Sequence, residues 1–176
     1  MLNFLFKLNA CWVYVSVKIL VPLVAGVALT APGCSKLTGF NEVSSETHAT
    51  YSEAVKRKAF ESGWLPEKMP KSAKRIVETH SIDSGEMWIR FSSDGVDISR
   101  FADGCTKSPR YGLPDRRRTK RNASWWPTEL TEGSNEKSTG QWDLYFCPDM
   151  HHAKTVLPAG MAIDRLSHTV WYWVKK

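Results

Sequence analysis

From Lys74 onward the chain alternates apolar and polar positions in short runs. Lys74–Ile82, Glu86–Ser92, Gln141–Cys147, Met161–Asp164 and Thr169–Val174 each show the period-two pattern of a strand. In the second run Met87, Ile89 and Phe91 oppose Trp88 and Arg90, and in the third Trp142, Leu144 and Phe146 line up. In the last, Trp171 and Trp173 share one face while Val170, Tyr172 and Val174 share the other, which predicts a strand covered on both sides. Asp83-Ser84-Gly85 and Arg165–His168 supply turns.

Before this strand region the period changes. His48–Ser62 has helical spacing, with Tyr51, Ala54, Val55, Ala59 and Phe60 on one face and Glu53, Lys56, Arg57 and Lys58 on the other. Thr50 or Ser52 can cap its start, Gly63 can end it, and His48 falls at its solvated edge. Pro66 and Pro70 keep the following connection extended, so that Trp64 can fold back as a lid. Asp97 can cap a short helix over Ile98–Ala102, closed by Gly104. The pattern predicts an α+β fold: an N-terminal helix packed on an antiparallel sheet of about five strands, with a short second helix and a long basic loop.

The first third of the chain is patterned differently. Ile19–Ala31 is apolar and uncharged and follows Lys18, the arrangement of an export signal. As a helix this run would rise about 20 Å, short of the roughly 30 Å hydrocarbon core of a bilayer. An uncleaved anchor over Leu8–Ala31 would put Lys18 near the bilayer centre, at a cost of about 2.5–3.5 kcal/mol. Val17 opens a compact signal of its own and is an alternative start; from there Cys11 would be absent from the product. Ser35–Thr47 is polar and reads as a tether. The organisation expected is a signal peptide over 1–33, a tether over 34–47 and one periplasmic domain over 48–176.

Leu29-Thr30-Ala31-Pro32-Gly33-Cys34-Ser35-Lys36 resembles the lipobox of bacterial lipoproteins, from which Pro32 departs. The resemblance implies cleavage before Cys34, acylation of its thiol and of the new N-terminus, and hence a membrane partner held through lipid. Ser35, where an Asp would retain the protein in the inner membrane, points by the same resemblance to the outer membrane, facing the periplasm. A second stretch runs from Gly63-Trp64-Leu65-Pro66 through Pro70, Ser72-Ala73, Ile76 and His80 to Trp88 and Phe91. It is similar to a pattern in small uncharacterised envelope lipoproteins and implies location and fold, with no catalytic residues.

Composition sharpens this picture. Removal of residues 1–33 leaves 143 residues, enough for one core, carrying 22 basic against 18 acidic groups. With Cys11 in the signal and Cys34 consumed by lipid, Cys105 and Cys147 remain in an oxidising compartment and are expected to form a disulfide. Arg110–Asn122 holds Arg116, Arg117, Arg118, Lys120 and Arg121 without apolar periodicity. It reads as a loop, either solvated or in contact with an anionic surface: phospholipid or lipopolysaccharide head groups, or an acidic protein in the envelope. Nucleic acid is a poor partner for an exported chain.

Catalytic signatures are missing: no Gly-x-Ser-x-Gly elbow, phosphate-binding Gly-rich loop, His-Glu-x-x-His or Cys-x-x-Cys occurs. His151-His152 with Asp149 is the nearest approach to a ligand set, and two adjacent loop histidines do not close a tetrahedral site, so neither metal nor cofactor is expected. Asp164 and Glu86 read as exposed strand residues. The function expected is a non-enzymatic binding or structural lipoprotein of the envelope. The alternative is an immunity or inhibitor lipoprotein that neutralises a toxin or hydrolase.

Overall fold

A strand that is apolar on both faces must be covered twice, and the computed structural model places Thr169–Val174 accordingly. It describes residues 43–108, 112–134 and 141–175, together with the backbone of two short strands, β1 (Lys7–Leu8) and β2 (Cys11–Trp12). The chain divides into two units, Met1–Thr38 and Gly39–Lys176. In the first, β1 and β2 pair antiparallel, Lys7 opposite Trp12. The signal over 1–33, the lipobox and Cys34 otherwise lie outside the described residues. No helix among the described residues is long and apolar enough to cross a membrane.

The second unit is built on one antiparallel sheet of seven strands. They are β3 (Val43–Thr50), β4 (Lys74–Ser81), β5 (Met87–Ser92), β6 (Thr106–Lys107), β7 (Trp142–His152), β8 (Thr155–Asp164) and β9 (Thr169–Val174). Their order is β3-β4-β5-β9-β8-β7-β6, which puts β9 in the middle. Three short helices, α1 (Tyr51–Lys56), α2 (Gly95–Phe101) and α3 (Arg116–Asn122), and one 3-10 turn over Thr128–Leu130 complete it.

This corrects the expected N-terminal helix on a five-stranded sheet. The alternating runs became β4, β5, β7, β8 and β9, and the sheet gains an edge strand at each side. β3 is polar and buries only His48, so no apolar pattern marks it, and its first residues, Val43–Thr47, fall in the stretch expected to be tether. The long N-terminal helix shrinks to α1, since Lys58 adopts a left-handed φ of 59° and the chain turns on to Gly63. Asp94 rather than Asp97 caps α2, accepting the Asp97 N–H at 2.8 Å.

Each face of the sheet carries its own core. On one face Ile76, Ile89, Phe91, Met161 and Tyr172 pack with Ala54 of α1, Phe101 of α2 and Leu65 from the connection after α1. On the other, Trp88, Leu144, Ala162 and Trp173 pack under Leu113, Ala123, Trp126 and Leu130. Indole N–H groups pin this second layer: Trp173 donates to the Gly112 carbonyl at 2.7 Å, Trp125 to Thr79 Oγ1 at 3.0 Å and Trp126 to the Leu130 carbonyl at 3.0 Å. Gly160, opposite Trp173 on β8, lets that indole lie on the backbone; a Cβ there would come within 2.1 Å of the ring.

Candidate functional site

Five of the seven residues Arg116–Asn122 are cationic, a composition that repels itself in any compact form. They form helix α3 nonetheless, where the sequence reading expects a loop. Asp115 accepts the Arg118 N–H at 2.8 Å as the N-cap, and that bond, ahead of the neighbouring arginines, holds its carboxyl below the usual carboxylate range. Thr119 and Ala123, one helical turn apart, point inward, and Trp88 Nε1 donates to Thr119 Oγ1 at 3.2 Å. So small an apolar stripe gives no periodic signal.

Arg118 departs from its neighbours. Its Nη1 lies 3.2 Å from Glu86 Oε1, and Glu86 is buried, correcting the exposed position expected for it. Ser84 Oγ donates to the second carboxylate oxygen at 2.9 Å. Arg116, Arg117, Lys120 and Arg121 are exposed and have no carboxylate within ion-pair distance among the described residues; Arg121 donates only to the neighbouring Asn122 side chain. The structure therefore brings four free cations together on α3 and commits the fifth to holding the helix on the sheet.

Cys105 and Cys147 are bonded, with Cα atoms 4.2 Å apart. The bridge joins the chain just after α2 to the middle of β7 and encloses α3 in its loop. His151 and His152 sit at the end of β7, not in a loop. His151 and Asp149 are exposed, whereas His152 is 2% exposed. His152 Nδ1 donates to the Gly63 carbonyl at 3.1 Å, so its Nε2 accepts the Tyr172 hydroxyl at 2.6 Å. Burial lowers the His152 pKa to about 4 and pushes the Tyr172 hydroxyl up. This histidine is a neutral clamp between β7, β9 and the turn after α1.

A further cluster escaped the sequence reading although its signal is plain: Glu-Thr-His occurs twice, at 46–48 in β3 and at 78–80 in β4. The two strands pair with Glu46 opposite Glu78, and from there the copies run apart, His48 opposite Ile76 and His80 opposite Ser44. His80 Nδ1 donates to Glu78 Oε1 at 2.5 Å, and Trp64 stacks on His80 with ring centroids 3.6 Å apart. Burial, ahead of its contacts, raises the Glu78 pKa, with Glu46 adding to the rise. His48 is buried, correcting its expected solvation, and neither ring nitrogen has a hydrogen-bond partner among the described residues; Glu46 Oε2 stands 3.5 Å away. Spaced along the pleat, these groups diverge, and among the described residues no three His, Cys, Asp or Glu are placed to hold a metal ion.

Together these features define a disulfide-linked, single-sheet domain with a basic helix on its tryptophan-rich face. Residues 42–92, the segment from β3 to β5, match the model of the YbbD head domain family. That segment is similar to the family; α2, α3 and β6–β9 lie outside the match. No curated protein matches the chain, and no solved structure matches it.

Proposed function

We propose that this chain is a non-enzymatic binding lipoprotein of the bacterial envelope, anchored through lipid on Cys34 at the outer membrane and facing the periplasm. Helix α3 is its contact with anionic head groups. One observation carries the reading: four exposed cations, Arg116, Arg117, Lys120 and Arg121, stand on one short helix with no carboxylate within ion-pair distance among the described residues. Cations so displayed are attracted to an anionic lipid surface by about 1 kcal/mol each and lose that attraction within a Debye length. The lipobox resemblance and the likeness of residues 42–92 to the YbbD head domain support an envelope setting.

The test separates the helix from the lipid anchor. A full chain carrying Cys34→Ala is floated with vesicles of anionic lipid across a salt series. It should bind at low salt and release as salt rises. The same chain with Arg116→Gln, Arg117→Gln, Lys120→Gln and Arg121→Gln should fold and fail to bind. Unchanged binding by that variant would reject α3 as the contact.

A further inference from the structure

Away from α3, the tryptophan face carries a second cationic feature that is a pocket rather than a patch. A cleft of about 290 Å³ opens where β4 begins and β5 ends, lined by Arg75, Arg90, Ser92, Ser167, Thr169 and Trp171. Among the described residues no carboxylate lines it. The nearest in its hydrogen-bond network, Asp164, is engaged by the hairpin turn, accepting from the Leu166 and Ser167 N–H groups and from Ser167 Oγ.

Arg90 is half-buried, and its guanidinium lies over the rings of Trp125 and Trp171, 5.6 and 5.4 Å from their centroids. The rings hold it by its π-faces. Its N–H donors lie in the plane of the fork, and none has an acceptor among the described residues. None of its nitrogens is among the buried atoms without a partner, so the fork opens into the cleft and can take an anionic acceptor there.

Arg75 is brought to the same place by a backbone irregularity. The ladder between β4 and β5 slips there: Lys74 faces Ser92 and Val77 faces Arg90, so Arg75 and Ile76 together oppose Phe91. Arg75 holds a left-handed φ of 52°, a conformation costly for a residue with a side chain. Bulges of this kind re-aim side chains. Here Arg75 Nε donates to Ser92 Oγ at 3.2 Å, which passes its own proton to the Lys74 carbonyl at 3.3 Å. Both Nη groups of Arg75 are left without an acceptor among the described residues. The core gains nothing from a strained, exposed arginine; a second guanidinium beside the first is what the bulge delivers.

We propose that Arg75 and Arg90 form a binding site for a phosphate monoester, with Trp171 as the wall for its organic part. Two planar forks suit a group with several equivalent acceptor oxygens and a double negative charge. Ser92, Ser167 and Thr169 line the same cleft with their hydroxyl protons already given to the Lys74 carbonyl, Asp164 and the Ser167 carbonyl, so the two arginines are its donors to an anion. The monoester can come from a soluble sugar or glycerol phosphate or from a lipid head group. The site does not depend on the reading of α3.

The full chain in nonionic detergent is titrated with glycerol 3-phosphate, with sodium chloride of matched ionic strength as blank, while tryptophan emission is followed. A parallel titration uses short-chain phosphatidic acid, with short-chain phosphatidylcholine as its control. Saturation by glycerol 3-phosphate supports the site with a soluble source; saturation by phosphatidic acid alone supports it with a head-group source. In either case Arg75→Gln and Arg90→Lys should weaken binding by about 10-fold or more, while Lys68→Gln leaves it unchanged. Arg75 is exposed, so its variant reports even where Arg90→Lys disturbs the tryptophans. Absence of saturation beyond the blank in both titrations, or an Arg75→Gln curve that overlays the wild type, overturns the proposal.

Discussion

Acidification should open the clamp at His152. Its two ring nitrogens are already committed, Nδ1 as donor to Gly63 and Nε2 as acceptor from Tyr172. A second proton has nowhere to go without turning the Tyr172 hydroxyl away. Burial holds the folded-state pKa at about 4 against an ordinary value of 6.5. The unfolded chain therefore takes up the proton first as pH falls. The stability that depends on this neutral ring is complete above about pH 6.5, declines between there and about pH 4, and is gone below. At 1.36 kcal/mol per pKa unit the loss is roughly 3 kcal/mol, a large share of the 5–15 kcal/mol that holds a typical domain together.

Glu78 acts in the opposite sense. Its pKa is raised, so its contribution is present below its ordinary value of 4.5 and is lost as pH rises through the folded pKa. The wild-type profile mixes the two. Urea unfolding followed by tryptophan fluorescence isolates the histidine when the wild type is compared with His152→Gln, whose amide can donate and accept as the neutral ring does but cannot titrate. The stability of the wild type minus that of the variant should fall by about 3 kcal/mol between about pH 7 and about pH 4. A difference that stays constant over that range would refute the neutral clamp.

Gly160→Ala should destabilise by more than about 2 kcal/mol in urea unfolding, since the added carbon meets the buried Trp173 ring and that ring is tied to Gly112. Cys105→Ser with Cys147→Ser removes a link closing 42 residues of chain and should cost about 4 kcal/mol in the chain-entropy model, read as a lowered urea midpoint. Arg118→Ala should cost about 1–3 kcal/mol because it strips the cation from buried Glu86, whereas Arg116→Ala should fall within about 0.5 kcal/mol of wild type. Cys34→Ala should abolish incorporation of a fatty-acid analogue; equal labelling of the variant would move lipidation elsewhere.

What the sequence revealed follows from which residues repeat. Strands such as β5 and β9, buried on both faces, carry large apolar residues on each side of the pleat, and such runs are visible without a structure. β3 has one buried side chain in eight residues, because an edge strand needs only its backbone to join the sheet. β8 contains Pro158 and Gly160, which break the strand pattern, yet Pro158 is exposed and Gly160 is required by Trp173. Cysteine counting reaches the pair Cys105 and Cys147 because it needs no geometry. The arginine pocket could not be found that way: Arg75 and Arg90 meet through a bulge, and a bulge leaves no mark in composition.

The contact proposed for the basic helix ties binding to stability. Seven residues are far fewer than the 12–15 or so that an isolated helix needs in water, and five like charges weaken it further. What forms α3 is its seat: the Asp115 cap, the Trp88–Thr119 bond, the Arg118–Glu86 pair and buried Ala123. The cap is local, but the other three tie α3 to the sheet and its tryptophan layer. The free cations of α3 are thus displayed as a group only while that layer is folded. A change that loosens the layer, such as Gly160→Ala, should weaken binding to anionic vesicles although it touches no cation. A variant that loosened the layer and bound as well as the wild type would show that the basic run works as an unstructured tail, with charge alone and not its arrangement on α3 governing the contact.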